Sequence, residues 1–112
     1  MTLERKLLEN IKMFIRSANL VFNTKDYTSA TILYFKALFS ILDFLILKDI
    51  GKTPKDHEER FRILEENYQS LYKILDETFP IYRDSYKTSI SLDRCKKVKD
   101  YVEILVKKYN IG

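Results

Sequence analysis

The sequence predicts an all-α protein, an up-and-down antiparallel bundle of four to five helices. Three observations carry that prediction. Apolar residues recur at three- and four-residue spacing through long stretches of the chain. Helix breakers are scarce, with two glycines and two prolines in 112 residues, so those stretches run long. No segment alternates apolar and polar side chains as a half-buried strand would. The length makes a single domain, residues 1–112.

The first helix follows Thr2, whose hydroxyl suits an N-cap. Leu3, Leu7, Ile11, Phe14, Ile15, Ala18 and Phe22 then recur on one face, and Asn23-Thr24-Lys25 ends it, giving a helix over about 3–22. The second begins near Asp26 and carries two apolar stripes. Ala30, Leu33, Tyr34, Ala37, Leu38, Ile41, Leu42 and Leu45 form one. Ile32, Phe35, Phe39 and Ile46 form another on a different side, and these four are the candidate dimer interface. A helix apolar on two sides is either central in its bundle or covered by a second copy; the expectation here is a homodimer. Fourteen of the 18 residues from Ala30 to Leu47 are apolar, but Lys36 and Asp43 interrupt them. A membrane span tolerates such charges poorly. The stretch therefore reads as a buried helix of a cytoplasmic protein with no membrane partner.

Gly51 to Asp56, with Pro54, is the one strong loop. Asp56 and Glu59 have capping-box spacing and open a third helix whose acidic first turn suits the helix dipole. Asn67 to Ser70 is a weak break. Leu71, Ile74, Leu75, Thr78, Phe79, Tyr82 and Tyr86 then continue a helical stripe through Pro80, where a kink or a fresh helix start is expected. After the polar run Thr88 to Ser91, with Ser91 as N-cap, the last helix covers about 92–109 and buries Val98, Tyr101, Val102, Leu105 and Tyr109.

Composition excludes much chemistry. A single cysteine, Cys95, permits no internal disulfide and no thiolate metal cage. A single histidine, His57, rules out any site needing two imidazoles. One interior glycine cannot build a phosphate-cradling loop or a dinucleotide-binding turn. No metal and no cofactor is expected. The net charge of +4 lies at one end: residues 1–82 carry 12 basic and 12 acidic side chains, residues 83–112 carry 8 and 4. Such a local surplus attracts phosphates or an acidic partner, or simply solvates a helix face.

Three stretches, Asp26 to Ala30 running into Tyr34 to Phe39, Gly51 to His57, and Phe79 to Tyr86, stand in an order that resembles the HEPN family (higher eukaryote and prokaryote nucleotide-binding domain). Asp26-Tyr27-Thr28-Ser29-Ala30 leading into Tyr34-Phe35-Lys36-Ala37-Leu38-Phe39 is similar to the family's second helix. Gly51 to His57 resembles the loop and the His that opens its third helix. Phe79 to Tyr86 resembles the Arg-bearing end of its fourth. The resemblance implies a helical bundle that binds nucleotide or RNA, or that partners a separately encoded nucleotidyltransferase, as in toxin–antitoxin pairs.

Many members of that family are metal-independent ribonucleases using an Arg and a His with four to six residues between them. By position Arg83 matches the Arg, but Thr88, Ser89 and Ile90 stand where the His belongs. A hydroxyl cannot shuttle protons at neutral pH without a base beside it. The expected protein is non-catalytic. Its candidate phosphate-binding residues are Arg83, Lys87, Arg94, Lys96 and Lys97, with Tyr86 to stack a base. Two alternatives stand beside this. A ribonuclease with an altered pair would recruit His57 or Tyr86 as proton donor, and a structural interaction module would use its charges for solubility alone. The simpler expectations are an ion pair for Arg83, a His57 that is exposed or locally hydrogen-bonded at a helix start, and a half-buried, unreactive Cys95.

Overall fold

The computed structural model describes residues 2–111, and among these every regular element is helical. Helix α1 covers Leu3–Asn23, α2 Tyr27–Ile50, α3 His57–Asn67, α4 Gln69–Asp84 and α5 Leu92–Lys108. Four helices start on a side-chain cap. Thr2, Asp26, Asp56 and Ser91 accept from the backbone N–H of Arg5, Ser29, Glu59 and Arg94. Each satisfies an N–H that the helix itself leaves open. Glu59 in turn accepts from the N–H of Lys55 at 3.1 Å, a return bond one residue before the cap. Helix α2 ends at Gly51, whose φ of +88° closes the helix in the left-handed conformation that glycine adopts freely.

The break between α3 and α4 is a single residue, Tyr68, with extended-side dihedrals. Its hydroxyl donates to Asp49 at 2.8 Å and pins this corner to the end of α2. Pro80 does not divide α4: the helix runs on to Asp84, and Pro80 itself is exposed. The α4–α5 connection is tied back to the start of α2 by the N–H of Ile90, which donates to the Thr28 hydroxyl at 2.8 Å.

The second helix is the axis of the bundle. Helix α1 packs along it, and α5 and α4 pack against its other sides. Ten α2 residues are buried, among them Phe35, Ala37, Leu38, Ile41, Leu42 and Ile46. Its length and composition would suffice to cross a membrane, but 56% of that apolar window is buried inside the subunit.

This placement corrects the interface expectation. Phe35 and Ile46 are both 0% exposed within one subunit, so neither can meet a second copy. Phe35 and Phe39 of the second stripe pack on the protein's own α4, where Tyr82 lies 5.2 Å from Phe35 and 5.1 Å from Phe39 ring to ring. Ile32 and Phe39 are half-buried. Cys95 is also deeper than expected, fully buried, and burial pushes its thiol pKa up.

Candidate functional site

Where α2, the start of α3 and the second half of α4 meet, six rings form a continuous patch. Phe39 on α2 lies 4.8 Å from the His57 ring, and Tyr82 on α4 lies 5.1 Å from Phe39. His57 is 5.5 Å from Phe79 and 5.4 Å from Tyr82. Phe61 meets Phe79 edge-on at 4.9 Å, and Tyr86 meets Tyr82 edge-on at 5.3 Å. All but Tyr86 are half-buried, so the patch has an inner side on the core and an outer edge in water. Tyr86 is 65% exposed, and its hydroxyl shares a 3.1 Å hydrogen bond with that of Tyr82. Burial, and then that bond, push Tyr82 up to about 12.

Beneath the patch lies a charged node that the sequence reading missed. Arg60 is buried, and its Nε and NH2 donate to the two carboxylate oxygens of Asp43 at 2.8 and 3.1 Å. This is the forked geometry in which a guanidinium grips a carboxylate best. Its NH1 donates to Nδ1 of His57 at 2.7 Å. A guanidinium only donates, so Nδ1 must be the acceptor and the neutral imidazole carries its proton on Nε2. Burial and the adjacent Arg60 cation both lower the His57 pKa from its ordinary value. His57 is thus locally hydrogen-bonded at a helix start, as expected, but it is also a member of the aromatic patch. No spacing in the sequence marks Arg60, because its partner Asp43 lies 17 residues away on another helix.

The six predicted nucleotide- or RNA-binding residues fall into two groups. Arg94 on α5 donates to Asp84 at 2.8 Å, Lys97 pairs with Glu77 at 2.8 Å, and Lys96 pairs with Asp100 at 3.2 Å. Lys99, also in this quarter of the chain, pairs with Glu103 at 2.8 Å. The charge surplus on α5 is therefore largely answered within the subunit. Arg83 and Lys87 are different. Both are exposed, and among the described residues neither has a carboxylate within ion-pair distance. The predicted ion pair of Arg83 does not form: Asp43 is taken by Arg60 and Asp84 by Arg94. Instead the Arg83 guanidinium lies 5.9 Å over the Phe79 ring. The α4 terminus thus presents Arg83, Tyr86 and Lys87 together at the outer edge of the aromatic patch.

One further juxtaposition follows. His57 and Arg83 both contact Phe79, so they stand one ring apart although 26 residues separate them in sequence. Thr88 and Ser89, which occupy the position of the expected His, are exposed in the connection, and Ile90 is buried. Among the described residues no group of His, Cys, Asp and Glu is arranged to hold a metal ion. No family model matches the chain, no curated protein matches its sequence, and no solved structure matches its fold.

Proposed function

We propose that this chain is a non-catalytic HEPN-like module whose Arg83–Tyr86–Lys87 corner binds the phosphates and bases of a nucleotide or single-stranded RNA. One observation carries the reading. In a quarter of the chain rich in cations, Arg83 and Lys87 are left unpaired, and they flank an exposed tyrosine continuous with an aromatic patch. Unpaired cations supply the salt-sensitive contact to phosphate, and an exposed ring supplies a stacking surface indifferent to base identity. Arg94, Lys96 and Lys97 contribute less, because a phosphate must compete with the carboxylates they already hold. In this reading the subunit works in a homodimer or beside a nucleotidyltransferase in a toxin–antitoxin-type pair. Ile32 and Phe39 are the half-buried members of the second stripe still open to such a contact.

Fluorescence anisotropy with a labelled single-stranded RNA tests the binding reading. Affinity should fall with salt and with Arg83→Ala, whereas salt-independent binding or an unaffected variant would remove it.

The placement of His57 favours a second reading, a metal-independent ribonuclease. His57 stands one ring from an unpaired arginine; for cleavage its Nδ1 would release Arg60 and take the proton of the attacking 2′-hydroxyl, and the resulting imidazolium would return that proton to the leaving 5′-oxygen while Arg83 balances the phosphorane charge. RNA incubated with the protein in EDTA decides it. Cleavage abolished by both His57→Gln and Arg83→Ala supports the enzyme, and intact RNA leaves the binding module.

A further inference from the structure

Helices α1 and α5 both pack on α2 and leave an open groove of about 550 Å3 between them. Its floor is apolar, formed by Ile11 and Ile15 of α1 with Val106 and Ile111. Leu20 stands on its edge, 64% exposed, and extends the apolar floor outward. The α1 side of the groove bears a row of donors. Lys12 and Arg16 are exposed, one helical turn apart, and among the described residues neither has an ion-pair partner. Asn19 continues the row. Its Oδ1 already accepts from the Tyr34 hydroxyl at 2.6 Å, so its amide NH2 is the group left to face outward. No aspartate or glutamate lines this groove.

We infer that the α1–α5 groove receives an amphipathic helix of a different protein chain, one whose apolar stripe is flanked by aspartates and glutamates. Three features fix this occupant. The floor is an open trough along α1 rather than an enclosed cavity, and from Ile11 to Asn23 it runs about 20 Å, the length of a helix of three to four turns. An apolar trough of that form is how one helix receives another. The rim carries the unpaired cations Lys12 and Arg16 and no carboxylate, a pattern that acidic side chains would satisfy. A second copy of this chain fits poorly. A two-fold contact sets this groove against its own copy, so two cationic linings meet with no carboxylate on either side. The groove shares no residue with the Arg83–Tyr86–Lys87 corner, so the two sites can be occupied and tested independently.

The test uses the full chain, labelled with 15N, and two synthetic 16-residue peptides, acetylated and amidated. Both carry leucine along one helical stripe and alanine elsewhere. One has glutamates flanking the stripe, the other lysines. The glutamate peptide should saturate amide shifts at residues 11–23 and 104–111 and bind at least tenfold more tightly than the lysine peptide. The double variant Lys12→Glu/Arg16→Glu should reverse that preference, and Leu20→Asp, at a site exposed enough not to threaten folding, should weaken both peptides. Unmoved amides at millimolar peptide, equal affinity for the two peptides, or a preference that survives the charge reversal would each overturn the inference. So would sedimentation showing that the chain alone forms a dimer that Leu20→Asp dissociates, since the groove would then belong to a second copy.

Discussion

Arg60 and Arg83 both lie against the aromatic patch, Arg60 over Phe39 at 4.8 Å and Arg83 over Phe79 at 5.9 Å. Arg60 is 8% exposed and holds Asp43 by two hydrogen bonds and His57 by a third. Arg83 is exposed and holds no carboxylate. What separates them is the reach of an acid. The lone acid in the apolar run of α2 faces the first turns of α3, whereas Asp84, next to Arg83 in sequence, is turned to Arg94 on α5. Counting cations in a sequence therefore overstates the charge available to a ligand. The usable fraction is what remains after the protein's own carboxylates are assigned.

The sharpest way to break this comparison is to remove the two acids in turn. Asp43→Ala leaves a buried guanidinium with no counter-charge, and such an orphan costs about 3–5 kcal/mol. Asp84→Ala frees an Arg94 that is 39% exposed at its side chain, and the expected loss is below about 1 kcal/mol. Urea unfolding of both variants measures the difference. Similar losses would mean that the Arg60–Asp43 pair is solvated and not a structural node.

Ring truncation within the patch comes next. Phe35 is fully buried and Phe39 half-buried, so Phe35→Ala should cost about 3–5 kcal/mol, the usual range for a core phenylalanine, and Phe39→Ala distinctly less. If Phe39→Ala instead lowers stability in a concentration-dependent way, Phe39 is covered by a second copy in solution.

On the ligand side the order reverses. Arg83→Ala should leave folding unchanged within about 0.5 kcal/mol, yet raise the Kd for single-stranded RNA about tenfold, or about 1.4 kcal/mol. Lys96→Ala should change that Kd far less, because its ammonium is already shared with Asp100. Each cation that truly meets phosphate should also lower the salt slope by about 0.7 on its removal. Equal effects of Arg83→Ala and Lys96→Ala would show that the whole basic quarter acts as one diffuse field.

These contrasts also mark what could be read from the chain before folding. The helices were legible because their caps are local: Thr2, Asp56 and Ser91 each bond three residues ahead, and Gly51 ends α2. The weak break at Asn67–Ser70 was legible too, narrowed to Tyr68. The fate of the second α2 stripe was not. Periodicity says that Phe35 and Ile46 share a side, but only the packing of α4 and α5 decides that this side is interior. Arg83 and Tyr86 were singled out as candidates by position in sequence. The Arg60–Asp43–His57 node was not, because its members lie 17 and 3 residues apart on two helices whose approach no local pattern encodes.

The smallest effect tests the node from its third member. His57 accepts from Arg60 through Nδ1, and burial with the neighbouring guanidinium depresses its pKa below the ordinary histidine value. Between that depressed pKa and the unfolded value near 6.5, the unfolded chain binds more protons than the folded one. Stability therefore rises with pH across this window. The contribution is complete above pH of about 6.5 and is lost as the pH falls through the folded-state pKa, where a protonated ring could no longer accept from Arg60. His57→Gln keeps a side-chain oxygen to accept that hydrogen bond and cannot titrate. Its thermal midpoint should drop less than that of the parent chain between pH 7.5 and pH 5.5, and an identical drop in the two proteins would show that Arg60 does not hold the imidazole neutral.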